Sequence, residues 1–278
     1  MNNRVAAKSA HQNQQEVILV NDSDLFIRQS VNGADIVITT KKAGNQSLRF
    51  PGNPLENRQH LVERLGLNLN SLVYMGAEMK DHVVFVTSSD GGRGSLSQKD
   101  SVACDAMFTN EHGVFLVLEP GDCATIFVIH ELFWGIIHAG RANASAVIPK
   151  AIKWLCKTFG VDPKSVLVAL GPIIGNAPDE EKSPVDDSLR YFFTRNKEEY
   201  IRDQLIDPDW IKSGAIVEYA DGWEILLAKY VEFALRKVGV IRVLNPHLDT
   251  LSGQFFSHSL SVKTGSTEGR HACLIGRF

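Results

Sequence analysis

The sequence predicts an α/β fold in which strands and helices mix along one domain. Residues 114–118, 124–130 and 133–138 form three short, closely spaced apolar runs, the pattern of central strands. Amphipathic helical patterns fall at 54–65, 142–159 and 223–238, and Gly66, Gly160 and Gly239 stop them. Strands and helices do not alternate strictly, which argues against an open doubly wound sheet or a TIM barrel.

Composition sets the class. The 278 residues are 44% hydrophobic and 22% charged, with only 10 Pro and 22 Gly, which excludes a collagen-like or wholly disordered chain. A net charge of −3 makes a poor general polyanion binder, so nucleic acid is not the expected partner. No apolar run reaches the ~18 residues of a membrane span. Residues 1–15 are polar and lack an apolar secretory segment, so they are expected to be a flexible tail before a single domain over 16–278. Cys104, Cys123, Cys156 and Cys273 are too sparse for a disulfide framework, which points to a reducing cytoplasm.

The elements follow in order. Residues 16–20, 25–29 and 35–39 read as short strands rich in Val and Ile. In the helix over 54–65, Asn53 is the expected N-cap and Pro54 fits the first turn. Leu55, Leu61, Val62 and Leu65 make its apolar face. Strands resume at 72–75 and 82–87. Residues 88–101 (SSDGGRGSLSQKDS) read as a flap or a disordered excursion. After the three central runs and the second helix come a strand over 165–170 and a turn over 171–175. A charged helical region spans 186–202, and strands at 240–244, 254–257 and 272–275 close the chain. No dinucleotide fingerprint, P-loop, zincin or nucleophile-elbow motif is present.

The chemistry centres on two residues. Cys123 opens one central strand and His138 closes the next. If the two strands pair as a hairpin, a thiol and an imidazole come within reach of each other. Such a pair serves metal binding or nucleophilic catalysis, and a buried Cys beside a hydrogen-bonded strand-end His is the structural alternative. Arg141 stands where the following helix begins. A cation there opposes the helix dipole, so an anionic substrate group is one partner for it and solvent is the other.

The strings Asp105-Ala106-Met107-Phe108-Thr109-Asn110, Gly121-Asp122-Cys123 and His138-Ala139-Gly140 together resemble the laccase-domain family. It is also called the YfiH-like purine nucleoside phosphorylase or multicopper polyphenol oxidase family. Glu56-Asn57-Arg58, Ala169-Leu170-Gly171-Pro172, Phe255-Phe256-Ser257 and Gly269-Arg270 resemble further family segments in the right order. The resemblance implies a single-domain, layered α/β sandwich with a mixed sheet, similar to the catalytic domain of cytotoxic necrotizing factor. It implies a zinc held by His, Cys and His, the last two being Cys123 and His138. It also implies phosphorolysis or deamination of a small-molecule purine nucleoside, with Arg58, Arg141 and Arg270 as substrate contacts. Neither nucleic acid nor membrane is an implied partner.

The chain departs from the family pattern at this site. The first metal His aligns with Met79, and His82, three residues on, points to the opposite face of an extended segment. Thioether is a poor zinc ligand but a fair one for Cu(I), so copper is the second candidate cofactor. Four readings follow: an active family enzyme with an altered zinc site, a metal-free Cys123–His138 hydrolase or deamidase, a non-catalytic binding paralogue, and a copper-dependent oxidase. An amidase acting on cell-wall precursors belongs with the second.

Overall fold

A computed structural model describes residues 18–22, 25–178, 192–193, 208–219 and 222–278. The tail expected over 1–15 lies outside the described residues. The strands are β1 Ile18–Asp22, β2 Phe26–Val31, β3 Ala34–Thr39, β4 Leu72–Gly76, β5 Val83–Phe85, β6 Val102–Ala103, β7 Ala106–Thr109 and β8 Phe115–Leu118. They continue as β9 Ala124–His130, β10 Phe133–Ala139, β11 Leu167–Leu170, β12 Phe192–Phe193, β13 Ile216–Tyr219, β14 Gly222–Ile225, β15 Arg242–Leu244 and β16 Cys273–Gly276. The α-helices are α1 Pro54–Leu65, α2 Ala144–Phe159, α3 Pro208–Lys212, α4 Leu227–Lys237 and α5 His258–Thr264.

One mixed sheet of seven strands runs β1-β2-β3-β16-β8-β4-β6, and a second of six runs β15-β11-β9-β10-β7-β5. A three-stranded sheet, β12-β14-β13, stands apart from both. Alternation along the strands explains the layering. On β9, Phe127 and Ile129 pack between the two large sheets with Ile36, Leu116, Trp134 and Ile275. Ile126 and Val128 face the other way, onto Val147 and Ile148 of α2 and Tyr230 of α4. Leu61, Val62 and Leu65 of α1 cover the far face of the seven-stranded sheet against Tyr74, Phe115 and Leu274. Apolar burial on both faces is why the central runs read as continuous hydrophobic stretches. The result is the layered α/β sandwich that the sequence led us to expect, with helices outside two stacked sheets. No described helix is long and apolar enough to cross a membrane.

Several local expectations change. The buried stripe of α1 is Arg58, Leu61, Val62 and Leu65, while Leu55 is exposed. Asn53 does not cap α1 with its side chain; it holds a left-handed backbone (φ 56°) instead. Gly66 does stop that helix in the left-handed conformation. The helix expected over 223–238 begins only at Leu227, because Trp223–Ile225 pair as a strand with β13. Trp223 lies four residues before Leu227 and therefore imitates a helical stripe. In the region read as helical over 186–202, Phe192–Phe193 form a strand and the other residues lie outside those described. The 254–257 strand is absent: Ser257 caps α5, its hydroxyl accepting from the Leu260 N–H at 3.1 Å. The 88–101 segment is neither flap nor disordered excursion. It folds as 3-10 turns laid on β4, with Gly92 N–H donating to Leu72 O and Tyr74 N–H to Arg93 O.

Candidate functional site

Strand register brings the thiol and the imidazole together. In the β9–β10 hairpin, His138 lies opposite Thr125 and Ala139 opposite Ala124. Cys123, two residues before Thr125, shares the face of His138 that looks between the sheets. Its Sγ packs against Gly140: a Cβ built there would lie 2.8 Å from that sulfur. The same point is 2.8 Å from Met79 Cε and 3.6 Å from Met79 Sδ. The missing side chain of Gly140 thus makes the space in which two sulfurs approach. Asn143 fixes the strand end, accepting from Gly140 N–H at 2.8 Å and donating to His138 O at 3.2 Å.

Asp105, between β6 and β7, organises the rest. Its carboxylate accepts from the backbone N–H groups of Glu78 (3.2 Å), Met79 (2.9 Å) and Lys80 (2.8 Å). Successive N–H groups in such a turn form an anion-binding nest. The turn forces Met79 into a left-handed backbone at φ 59°. Met79 is 40% exposed, and this strain places its side chain on the site. The same carboxylate meets His138 Nδ1 at 3.4 Å, and the Cys123 thiol stands near enough to the His138 ring to favour its charged form.

Burial opposes charge on His138, but Asp105 and Cys123 outweigh it and hold its pKa up at about 9. Burial likewise works against ionised Asp105, and the hydrogen bonds from His138 and the Lys80 and Met79 N–H groups leave it below the usual carboxylate range. Burial pushes the thiols of Cys104 and Cys273 up to about 12 and raises that of Cys156.

Met79, Cys123 and His138 lie in one cleft with Arg49, His258 and Arg270 on its walls. Arg270 lies over the Phe50 ring at 4.3 Å and donates to Glu268 at 2.8 Å. Glu268 also holds His258 Nδ1 at 2.6 Å. Asp122 braces the floor, accepting from Thr250 Oγ1 and from the Ser259 N–H, both at 2.7 Å.

Of the expected site residues, Cys123, His138, Met79 and Arg270 meet here. Arg58 does not line the cleft. It is fully buried in α1, where its donors go to the carbonyls of Gln46, Gly94 and Ser95 and to Glu119, with the Tyr74 ring 4.0 Å away. With four of its five N–H donors so engaged and the side chain fully buried, Arg58 presents no face to the cleft, although its partner Glu119 does reach it. Arg141 occupies the turn before α2 and is not among the lining residues. His82 is 55% exposed, bonded to Glu78 at 2.7 Å and not among the lining residues; a turn, not the expected extended alternation, separates it from Met79. Sequence reasoning missed Arg49 and the positioning role of Asp105, and marked His258 only as a departure from the family's terminal segment. The readable signal for Asp105 was a carboxylate inside an apolar run; Arg49 gave none.

A family model for the multi-copper polyphenol oxidoreductase laccase matches residues 51–277. The chain belongs to this laccase family. Purine nucleoside phosphorylase YlmD of Geobacillus stearothermophilus is 31% identical over 174 residues, 57% of this chain and 64% of that protein. Purine nucleoside phosphorylase YlmD of Bacillus subtilis is 26% identical over 140 residues, 49% of this chain and 50% of that protein. The matches therefore span less than two thirds of either relative. The crystal structure of Bacillus licheniformis hypothetical protein YfiH shares the laccase-family fold, with a TM-score of 0.78 at 19% identity, covering 94% of this chain and 99% of that one.

The donor set does not fit the zinc that the family resemblance implies. Among the described residues, no three of His, Cys, Asp and Glu gather as ligands. The third position facing Cys123 and His138 carries a thioether, whereas zinc takes thiolate, imidazole and carboxylate. One thiolate and one imidazole are also too few for several copper centres.

Proposed function

We propose that this cleft cleaves purine nucleosides by phosphorolysis. The observation that carries the proposal is the linked series Asp105–His138–Cys123 on the floor of a cleft walled by Arg49 and Arg270. In phosphorolysis the bond from the sugar to the base breaks and a phosphate oxygen bonds the sugar carbon. The bonding pair leaves with the base, which takes up a proton. His138, kept protonated at neutral pH by its partners, is the proton donor. Asp105 orients it, and the two guanidiniums supply charge for the phosphate. The names of the two YlmD relatives support this substrate class. Four free thiols support a reducing compartment such as the cytoplasm.

The test is release of free base and sugar 1-phosphate from adenosine or inosine with phosphate. His138→Ala and Cys123→Ala should each abolish it, and a wild-type rate in either variant overturns the assignment. Arg270→Met should raise the KM for phosphate about tenfold while kcat changes little, reflecting the loss of one charge-assisted contact.

A second reading rests on the same thiol. A half-buried Cys beside an oriented His is also the arrangement of a thiolate nucleophile, which suits a metal-free hydrolase or deamidase. Phosphate-independent turnover of an ester or amide, with a Cys123 adduct seen by mass spectrometry, selects this reading. A folded protein without turnover on either substrate class selects the binding paralogue.

A further inference from the structure

We propose that Glu119 reads the sugar: it accepts a hydrogen bond from the 2′-hydroxyl of a bound nucleoside and so selects ribonucleosides over 2′-deoxyribonucleosides. The inference rests on the nucleoside reading of the cleft and adds to it the class of sugar. The first ground is position. Glu119 follows β8 and lines the cleft with Arg49, His138 and Arg270, yet it is only 7% exposed. Arg58 fixes it there. The buried guanidinium donates to Glu119 Oε1 at 2.5 Å and is itself pinned by the carbonyls of Gln46, Gly94 and Ser95. A side chain already held in this way meets a ligand with little further loss of rotamer freedom.

The second ground is the choice of acceptor. A hydroxyl taken from water into a cleft needs one. Asp122, the other carboxylate among the described lining residues, is drawn into the floor at both oxygens, by Thr250 Oγ1 and by the Ser259 N–H. Glu119 is held by Arg58 through Oε1, and each carboxylate oxygen has about two acceptor sites, so Oε2 still accepts from a ligand with the Ser47 hydroxyl nearby. The third ground is stereochemical. In an in-line displacement phosphate approaches the anomeric carbon on the face opposite the base. In a ribonucleoside the 2′-hydroxyl projects from the adjoining carbon on that same face. Arg49, which supplies charge for the phosphate, stands near enough to Glu119 to favour its charged form. An acceptor beside that cation is placed for the 2′-hydroxyl rather than for the base, which lies towards His138.

The experiment is calorimetric titration of the full-length protein with inosine and with 2′-deoxyinosine, without phosphate, so that binding is read apart from turnover. Wild type should bind inosine about 10–100-fold more tightly, the scale of one hydrogen bond to a charged group. A variant carrying both Arg58→Met and Glu119→Leu removes the acceptor together with its buried counter-charge. Checked for folding by circular dichroism, it should bind the two nucleosides with affinities within about twofold of each other. Equal wild-type affinities, or a folded double variant that discriminates as wild type does, overturn the proposal while the nucleoside reading stands. Failure of wild type to bind either nucleoside overturns both. Discrimination without any turnover overturns phosphorolysis and leaves the sugar contact supported. Should the double variant fail to fold, a crystal structure of wild type with inosine decides. A 2′-hydroxyl within hydrogen-bond reach of Glu119 supports the proposal, and one beyond about 3.5 Å overturns it.

Discussion

Asp105 shows how much a single carboxylate arranges here. It folds the 78–80 turn around itself and fixes the imidazole on the neighbouring strand. Asp105→Asn keeps the size but loses the charge that holds His138 protonated and one of the two acceptor oxygens, the one bonded to the Lys80 N–H if Oδ1 is kept. We expect kcat for nucleoside cleavage to fall about 100-fold, the scale of a lost proton donor, with KM changing less than about twofold. A rise in KM at constant kcat would show that Asp105 shapes binding rather than positioning the acid. His271 offers a separate test. It is fully buried before β16, against Phe255, and neither ring nitrogen has a hydrogen-bond partner. Burial lowers its pKa to about 3; Asp122 opposes that shift and Arg270 reinforces it. Below the ordinary value near 6.5 the unfolded chain binds a proton that the folded chain refuses. Stability therefore falls as pH drops from about 6.5 towards 3, by up to about 5 kcal/mol. His271→Phe should flatten that part of the urea-derived stability profile, and parallel wild-type and variant curves would contradict the assignment.

Helix α1, the 88–101 segment and the end of β8 are tied together by Arg58. The family resemblance suggested a substrate contact, yet its burial among carbonyls and Glu119 makes it a cross-brace. Removing one partner of a buried ion pair leaves the other charge uncompensated. Arg58→Met should therefore destabilise the protein by about 3–5 kcal/mol in urea unfolding, and adding Glu119→Leu should restore much of the loss. A single-variant cost below about 1 kcal/mol would mean that solvent reaches the pair. At this scale some boundaries were legible and others were not. The extent of α1 could be read because Pro54 and Gly66 act locally. The start of α4 could not, because Trp223 satisfies a helical stripe and a strand pairing equally well and only the partner strand β13 decides between them.

Across the whole molecule, the two large sheets share one apolar interior, and the cleft opens where β4, β8, β9 and β10 meet. Ile136 is fully buried in that interior, while Leu132 is 47% exposed in the hairpin turn. Ile136→Ala should cost about 2–5 kcal/mol and Leu132→Ala less than about 0.5 kcal/mol in the same unfolding measurement. Equal costs would contradict this division between interior and surface.

The sequence alone determined the mixed α/β class, the β9–β10 hairpin and the Cys123–His138 pair. Each rests on contacts between near neighbours in the chain or on apolar patterning that any compact fold must bury. Resemblance to the family, rather than the pattern of residues, pointed to Met79 as a departure. Only the tertiary structure decided which charges line the cleft: it brought Arg49, Arg270 and His258 to it and left Arg58 outside. A charged side chain is placed by partners far along the chain. No local pattern records whether those partners will be carbonyls that consume its donors or a cleft that leaves them facing a ligand.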